Sequence, residues 1–297
     1  MKLSASHLTA LSSYSLLQST IKIPQYVQLA KKMGYKYLGI TDRNNLYGAL
    51  AFVKACQREQ IHPVIGLLLE YYSQQTQKEH EIFLFAKNNQ GYKKLMHLSS
   101  QKMSGTQVLL EGSSLTDLFA ILPVENELTE LRFEDEKIAK NRVSALQATI
   151  GKDQLFYGVA YQEALADEMN EWMQQQGVQA AAYQLIDSLY PEEAFSVKVM
   201  HHIKEGEQIE NLQQEMQGVT AFKSLEAAEK KAAWYETNAP QALQNTEMIA
   251  KNCQAQIPLH QKLLPHYPIK DHKSASQYLK ELCETKLPQR VAKVDAR

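Results

Sequence analysis

Residues 23–72 read IPQYVQLAKKMGYKYLGITDRNNLYGALAFVKACQREQIHPVIGLLLEYY and alternate between two kinds of hydrophobic spacing. Residues 23–34 carry apolar side chains at helical spacing, with a proline near the start and a glycine at the stop. A short apolar run at 37–41 predicts a strand, and residues 46–58 predict a second helix. Residues 62–72, which are rich in Val, Ile, Leu and Tyr, predict a second strand. The stretch therefore predicts strands that alternate with helices.

The same alternation continues beyond this stretch. Further strands are predicted at 81–86, 118–122, 155–161 and 178–185, and further helices at 91–100, 135–150 and 165–176. Because strands joined by crossover helices pair in parallel, a parallel sheet is expected. About six such strands, without a GxGxxG motif after the first, favour a barrel over an open dinucleotide-binding sheet.

The pattern becomes helical after Pro191. Helices are predicted at 192–204, 225–235, 240–250 and 275–285, and prolines interrupt an extended connector at 258–272. We therefore divide the chain into a barrel at 1–205, a helical segment that completes or caps it at 206–257, and a connector with a last helix at 258–297. The chain stops at 293–297 without an obvious terminating structure, which suggests a piece of a longer protein.

Composition excludes several classes of protein. Hydrophobic residues make up 44% and charged residues 22% of the 297 positions, which is typical of a globular chain and not of a disordered one. The chain has 32 basic and 33 acidic residues, so it lacks the excess of positive charge expected of an autonomous nucleic-acid binder. Three widely spaced cysteines without a CxxC pair predict neither a zinc site nor redox chemistry, and favour a reduced cytoplasmic setting. No window reaches the ~18 apolar residues of a membrane span, so no membrane partner is expected.

Several short motifs occur in a specific order along the chain. They are YSLL at 14–17, YLGITD at 37–42, NLYG at 45–48, IHPVIG at 61–66 and FAKNNQGYKKL at 85–95. In this order and spacing they resemble the PHP domain that opens bacterial DNA polymerase III alpha subunits, the C-family replicative polymerases of the DnaE type. The segments ALQNTEMIAKNC at 242–253, LLPHYP at 263–268 and YLKELC at 278–283 resemble the passage from that domain into the polymerase palm.

The resemblance implies a fold and a site. The fold is a distorted (β/α)7 barrel with a helical C-terminal extension, and residues 258–297 would contain the start of the palm region. In active PHP domains, imidazoles and carboxylates at the strand ends bind a cluster of divalent metals that activates water. The residues at these positions are Thr9, Leu11, Gln18, Arg43, Leu68, Glu81, Leu185 and Asp187. Because Arg43 places a fixed cation where a neutral imidazole would bind metal, the site is predicted to bind none.

Three polar residues remain as residual candidates. Asp42 ends a predicted strand, where it could bind metal, but acceptance of backbone N–H bonds in a turn with Asn44 and Asn45 is the favoured interpretation. Glu70 lies two residues after Leu68 and would share its face of the strand. His80 is the alternative to Glu81 for one ligand position, depending on register.

Other charged segments receive structural interpretations. The acidic stretch at 125–136 lacks ligand spacing and is interpreted as a solvated connector. Lysine pairs, Lys230 and Lys231 among them, are interpreted as solvated helix faces because isolated pairs on helices seldom contact phosphate.

Three functions remain open, and the first is favoured. In the first, the barrel is a non-catalytic scaffold for the palm and thumb of a replicative polymerase, with no cofactor in this chain and Mg²⁺ in the palm of the full-length protein. Its partners would be the rest of the polymerase, primer-template DNA and replisome proteins. In the second, a rearranged site makes it a phosphoesterase or a 3′–5′ proofreading exonuclease; its residues would be Asp42, Glu70, His80, Glu81 and Asp187. In the third, the helical region docks a clamp, primase or helicase.

Overall fold

The computed structural model describes residues 6–112, 114–161, 166–207, 223–258, 268–269 and 273–291. The chain divides into two compact units, Met1–Ile257 and Pro258–Arg297. The first unit contains the sheet and the helices that cover it. None of the helices within these ranges is long and apolar enough to cross a membrane.

The first unit is built on a seven-stranded sheet whose strands follow one another in chain order. The strands are β1 (Ser6–His7), β2 (Tyr37–Ile40), β3 (His62–Ser73), β4 (Lys78–Ala86), β5 (Leu118–Leu122), β6 (Leu155–Val159) and β7 (Gln179–Ala182). Strands β1 to β3 are parallel to one another, as are β5 to β7, whereas β4 is antiparallel to both of its neighbours. The predicted strands are present, and β1 is an additional one that is too short to show a hydrophobic period.

The expectation of an entirely parallel sheet was wrong at β4. Strands β3 and β4 form a hairpin with Ser73 paired to Lys78, and the turn between them includes Gln77 at a positive φ of 56°. Because only residues 74–77 separate the two strands, there is no room for the crossover helix that parallel pairing needs. The hairpin turns the chain around, and β4 runs against both of its neighbours.

The sheet curls until its first and last strands meet. A parallel bridge joins Ala10, after β1, to Ile186, after β7, with the Leu11 amide donating to the Ile186 carbonyl at 2.9 Å. Along the outer edge of β7, the side chains of Asn245 and Thr246 each donate to a strand carbonyl at 2.7 Å. A helix therefore covers the edge that remains, and the fold is the expected distorted (β/α)7 barrel.

Helices cover the outside of the curled sheet. In the first unit they are α1 (Ile23–Lys32), α2 (Ala49–Glu59), α3 (Asn89–Met103), α4 (Glu127–Glu134), α5 (Glu136–Ile150), α6 (Ala166–Gln175), α7 (Ala194–Glu205), α8 (Leu225–Asn238) and α9 (Pro240–Asn252). Asn88, Asn126 and Asp135 cap α3, α4 and α5 by accepting hydrogen bonds from first-turn amides. These caps explain why α4 and α5 begin where they do.

The solvated connector predicted at 125–136 is instead the helix α4, and its first residue is buried. Glu127 is fully buried and accepts hydrogen bonds from Arg142 Nε at 2.7 Å and from the Tyr71 hydroxyl at 2.8 Å. Arg142 also pairs with Glu111. A buried charge is stable when an opposite charge and hydrogen bonds compensate for its lost hydration. Spacing along the chain did not show this pairing because its partners lie on β3, α5 and a loop.

Strand β3 has a continuous apolar run from Val64 to Leu69 because both of its faces are buried there. Val64 and Leu68 face the barrel interior, where they pack with Leu11, Phe83 and Phe156. The residues between them on the strand, among them Ile65 and Leu67, belong to a second cluster on the opposite face that contains residues of the surrounding helices. A near-continuous apolar run is typical of a strand covered on both sides.

The second unit contains one described helix, α10 (Ala275–Arg290). It begins with a capping box in which Ser274 and Gln277 satisfy each other's backbone amides. The predicted connector lies largely outside the described residues, as does the chain end after residue 291. The assignment of residues 258–297 to the start of a palm region stays a prediction.

Candidate functional site

The predicted ligand positions meet at one end of the barrel because most of them follow parallel strands. Thr9 and Leu11 come after β1, Arg43 comes after β2, and Leu185 and Asp187 come after β7. The segment after β2 continues alongside β3 and is held there by hydrogen bonds. In this pairing Arg43 lies beside Leu68. The carboxyl ends of parallel strands are where barrel enzymes place their chemistry.

Leu11 and Leu68, two of the three apolar residues at these positions, lie in the barrel interior at this end. Leu11 is 4% exposed and Leu68 is fully buried, and both belong to the interior cluster that also contains Phe83. Thr9 is also buried, and its hydroxyl accepts a hydrogen bond from the Gln184 amide at 3.2 Å. These three side chains are engaged in packing and in holding the end of β7.

Replacing Leu68 by Glu should destabilise the chain by roughly 1–3 kcal/mol, because a carboxylate would be buried without a partner. The neighbouring guanidinium of Arg43 is already hydrogen-bonded to two other glutamates. Thermal denaturation would measure the effect, with the nearly isosteric Leu68→Met as the control expected to stay within ~1.5 kcal/mol. An unchanged melting temperature in the Glu variant would contradict the burial.

Arg43 lies at the centre of a polar cluster at the same end of the barrel. Its Nη1 donates to Glu70 Oε1 at 2.9 Å and to Glu81 Oε1 at close range, and its Nε donates to Gln18 Oε1 at 2.5 Å. Glu70 and Glu81 are directly opposite each other in the β3–β4 hairpin. Glu70 also shares the face of Leu68, as the sequence predicted. Two other predicted ligand positions, Gln18 and Glu81, and the residual candidate Glu70 thus converge on the guanidinium of Arg43.

The surroundings favour the charged forms of Glu70 and Arg43. Burial raises the pKa of Glu70, but hydrogen bonds from Asn44 and Arg43 and the charges of Arg43 and Lys102 outweigh it and hold the pKa below its usual value. Burial lowers the pKa of Arg43, whereas the charges and hydrogen bonds of Glu81 and Glu70 raise it overall above its ordinary value. Asn44 completes the arrangement by donating to Glu70 Oε2 at 2.8 Å.

Asp42 has a structural role, but with partners other than those expected. Its carboxylate accepts from the Ser12 amide at 2.6 Å, the Ser12 hydroxyl at 2.8 Å and the Ser15 hydroxyl at 2.7 Å. The predicted turn partners Asn44 and Asn45 make none of these bonds. Burial raises the pKa of Asp42 against the opposing effect of the serine hydrogen bonds. The residue ties the loop after β1 to the end of β2.

His80 and Asp187 do not join the Arg43 cluster. Adjacent strand residues point to opposite faces, so His80 lies on the face opposite to Glu81, and its Nε2 is 2.7 Å from the Thr76 hydroxyl. Asp187 is 6% exposed, and burial raises its pKa to about 6 against the charge of Lys223. Leu185 packs against the interior cluster. Of these carboxylates and imidazoles, only Glu70 and Glu81 are therefore brought together on Arg43 within the described residues.

An open cleft of about 1090 Å³ adjoins the cluster. Its lining includes Glu81, Phe83, Leu185, Lys223 and Lys231. The interpretation of Lys231 as a solvated lysine was wrong: it is 2% exposed and its Nζ lies 5.4 Å from the centre of the Tyr161 ring. Burial, together with the charge of Lys223, lowers its pKa to about 8. The run of alanines and aromatic residues that follows Lys231 is the signal that could have indicated burial.

These residues do not fit a divalent metal centre. Within the described parts of the chain, no group of three or more His, Cys, Asp or Glu residues is placed to hold a metal ion. The two carboxylates that do face each other, Glu70 and Glu81, have the guanidinium of Arg43 between them. A fixed positive charge at this point opposes cation binding. That these residues stand at the metal-ligand positions of active PHP domains stays a prediction from the resemblance.

The fold and the positions of these residues can be compared with known proteins. A family model of the PHP domain matches residues 7–174. The chain belongs to the PHP domain family. DNA polymerase III subunit alpha of Halalkalibacterium halodurans is 28% identical to this PHP chain over 289 residues, covering 94% of the chain and 25% of the relative. The Bacillus subtilis (strain 168) subunit is 29% identical over 303 residues, covering 98% and 27%. This PHP chain therefore spans about a quarter of the length of the curated relatives it matches.

A solved structure gives a more distant comparison. An amidohydrolase from Chromobacterium violaceum is 12% identical, with a TM-score of 0.44, covering 62% of the PHP chain and 88% of that protein.

Proposed function

We propose that this PHP domain is a non-catalytic scaffold within a DNA polymerase III alpha subunit. The observation that carries the proposal is the guanidinium of Arg43, which contacts both Glu70 and Glu81. By the resemblance to active PHP domains, Arg43 and Glu81 stand at metal-ligand positions, and a fixed positive charge there opposes the cations that would activate water. In this proposal, the barrel keeps the packing of the family while the residues for its chemistry are replaced. A fold of this kind can support other domains without catalysing a reaction.

The extent of the similarity supports the polymerase setting. The family model ends at residue 174, whereas the similarity to DNA polymerase III alpha subunits covers 94% or more of the chain in two relatives. The residues after 174 are therefore similar to polymerase subunits although the PHP family model does not match them. This is expected if the PHP domain is followed by the palm and thumb of a polymerase. We propose that nucleotidyl transfer, with its Mg²⁺ ions, occurs in those domains, and that primer-template DNA and replisome proteins are partners of the full-length cytoplasmic polymerase.

The test is an excision assay with the polymerase encoded by the complete open reading frame. On a primer with a 3′ mismatch, without nucleotides and with Mg²⁺, Mn²⁺ or Zn²⁺, the wild type should remove no nucleotide, because the barrel end lacks the ligands to activate water. The Glu81→Gln and Asp187→Asn variants should extend a matched primer at the wild-type rate.

The second candidate, a 3′–5′ proofreading exonuclease with a rearranged site, predicts the opposite result. Glu81 and Leu185 line the cleft, and Asp187 is two residues after Leu185 in the sequence. Metal-dependent excision by the wild type that disappears in either amide variant would replace the scaffold with this nuclease. Excision that is equal in all three proteins would show that neither Glu81 nor Asp187 takes part in it.

A further inference from the structure

The hairpin between β3 and β4 places two negative charges directly opposite each other. Glu70 pairs with Glu81 in the antiparallel register, so both side chains project from the same interior face. Their side chains are only 27% and 35% exposed. Like charges that face each other across strands destabilise a sheet, and partial burial reduces the screening by water. The strand register therefore creates a position that favours a cation.

The chain supplies that cation itself. The backbone of Arg43 pairs with Leu68 of β3, and this pairing directs the guanidinium to the face that carries both glutamates. One nitrogen of the guanidinium, Nη1, contacts both carboxylates. A second nitrogen, Nε, contacts Gln18 in the loop before α1. Because a guanidinium is planar, permanently charged and rich in donors, it can bridge several acceptors at once.

The neighbouring lysine does not occupy this position. Lys102 Nζ is 3.6 Å from Glu70 Oε2 and 2.5 Å from Glu79 Oε1. It therefore approaches the pair from one side and is bonded mainly to a different glutamate. Within the described residues, Arg43 is the cation that contacts Glu70 and Glu81 together.

We infer that Glu70 and Glu81 form a cation-binding site and that the guanidinium of Arg43 is its built-in occupant. The bound guanidinium connects four segments: the loop before α1, the segment after β2, and the strands β3 and β4. This internal cation performs, by ion pairing, the cross-linking that a bound metal ion performs in a metal centre. The site is defined by the strand register, so it does not depend on whether the domain acts as a scaffold.

The experiment removes the occupant and offers replacements. In the 297-residue chain, Arg43→Ala should lower the melting temperature by roughly 5 °C, because two facing carboxylates lose their partner. Guanidinium chloride or MnCl₂, each at about 5 mM, should restore part of the loss, since a small cation can then enter between the carboxylates. The wild type should show no such rise.

Two further variants define the source of the effect. The triple variant Arg43→Ala, Glu70→Gln, Glu81→Gln should regain stability relative to Arg43→Ala and should not respond to either cation. Arg58→Ala removes an exposed arginine from α2 and controls for the loss of one positive charge. If Arg43→Ala does not fold, the double variant Glu70→Gln, Glu81→Gln, which keeps Arg43, tests the same ion pairs by removing the carboxylates. Its melting temperature should then be lower than that of the wild type.

Three results would overturn the inference. One is an Arg43→Ala chain that melts with the wild type. Another is an Arg43→Ala chain that is destabilised but responds to neither guanidinium nor Mn²⁺. The third is a response of equal size in the wild type or in the triple variant, which would place the bound cation elsewhere.

Discussion

Replacing Arg142 by Met is expected to destabilise the 297-residue chain by about 3–5 kcal/mol, which is the range for breaking a buried ion pair at one partner. The side chain of Arg142 is 1% exposed, and it donates to the fully buried Glu127 at 2.7 Å. Without it, the Glu127 carboxylate would keep the Tyr71 hydroxyl as a neutral partner in an apolar layer. Urea denaturation at neutral pH measures the loss.

The double variant with Glu127→Leu and Arg142→Met is the control for this prediction. Replacing both members of a buried pair by apolar residues of similar size is often neutral or stabilising. The double variant should therefore recover most of the stability that the single variant loses. Adding Tyr71→Phe to the double variant removes the hydroxyl that has lost its acceptor, Glu127. A single variant that loses less than about 1 kcal/mol would show that the pair is not desolvated as the structure has it.

Replacing Ile65 by Ala should cost roughly 2–5 kcal/mol through the loss of buried methylene groups and the cavity left behind. Ile65 is 1% exposed and belongs to the cluster between β3 and the covering helices, with Val53, Leu67 and Leu95. The cost is a large share of the ~5–15 kcal/mol that stabilises a domain. Chemical denaturation of the 297-residue chain measures it directly.

In the full-length polymerase, the scaffold role predicts a specific phenotype for Ile65→Ala. Activity should be lost at a lower preheating temperature than in the wild type, while the rate of synthesis at a permissive temperature stays unchanged. The matched control is Ile138→Ala, because Ile138 lies on α5 with 44% of its surface exposed and should change stability by no more than about 0.5 kcal/mol. Equal losses in the two variants would contradict the assigned packing.

Local patterns were sufficient for most of the elements. Helical spacing in 23–34 and the apolar runs at 62–72 and 118–122 predicted α1, β3 and β5 to within a few residues, because side-chain period reflects which face is buried. The direction of β4 was missed because periodicity is the same in parallel and antiparallel strands. The missing helix between β3 and β4 was the available signal for the hairpin.

The candidate site was predicted unevenly. The resemblance placed Thr9, Leu11, Arg43 and Leu68 at one barrel end, and the structure brings them together there. The partners of these residues were not visible in the sequence. Asp42 accepts hydrogen bonds from Ser12 and Ser15, about 30 positions away, rather than from the adjacent asparagines. Local turn chemistry is a sound expectation for an aspartate at a strand end, but here the loop after β1 packs over the carboxylate.

The sequence by itself determined most of the strands and helices, and its resemblance to PHP domains determined the barrel fold. Only the tertiary structure decided how the remaining charges are paired. Arg43, Glu70 and Glu81 lie on three different strands or strand extensions, and Glu127 and Arg142 lie on two different helices. Hydrophobic periodicity depends on neighbours a few residues apart, whereas a charge in a barrel is stabilised by whichever partner the fold brings within hydrogen-bonding distance.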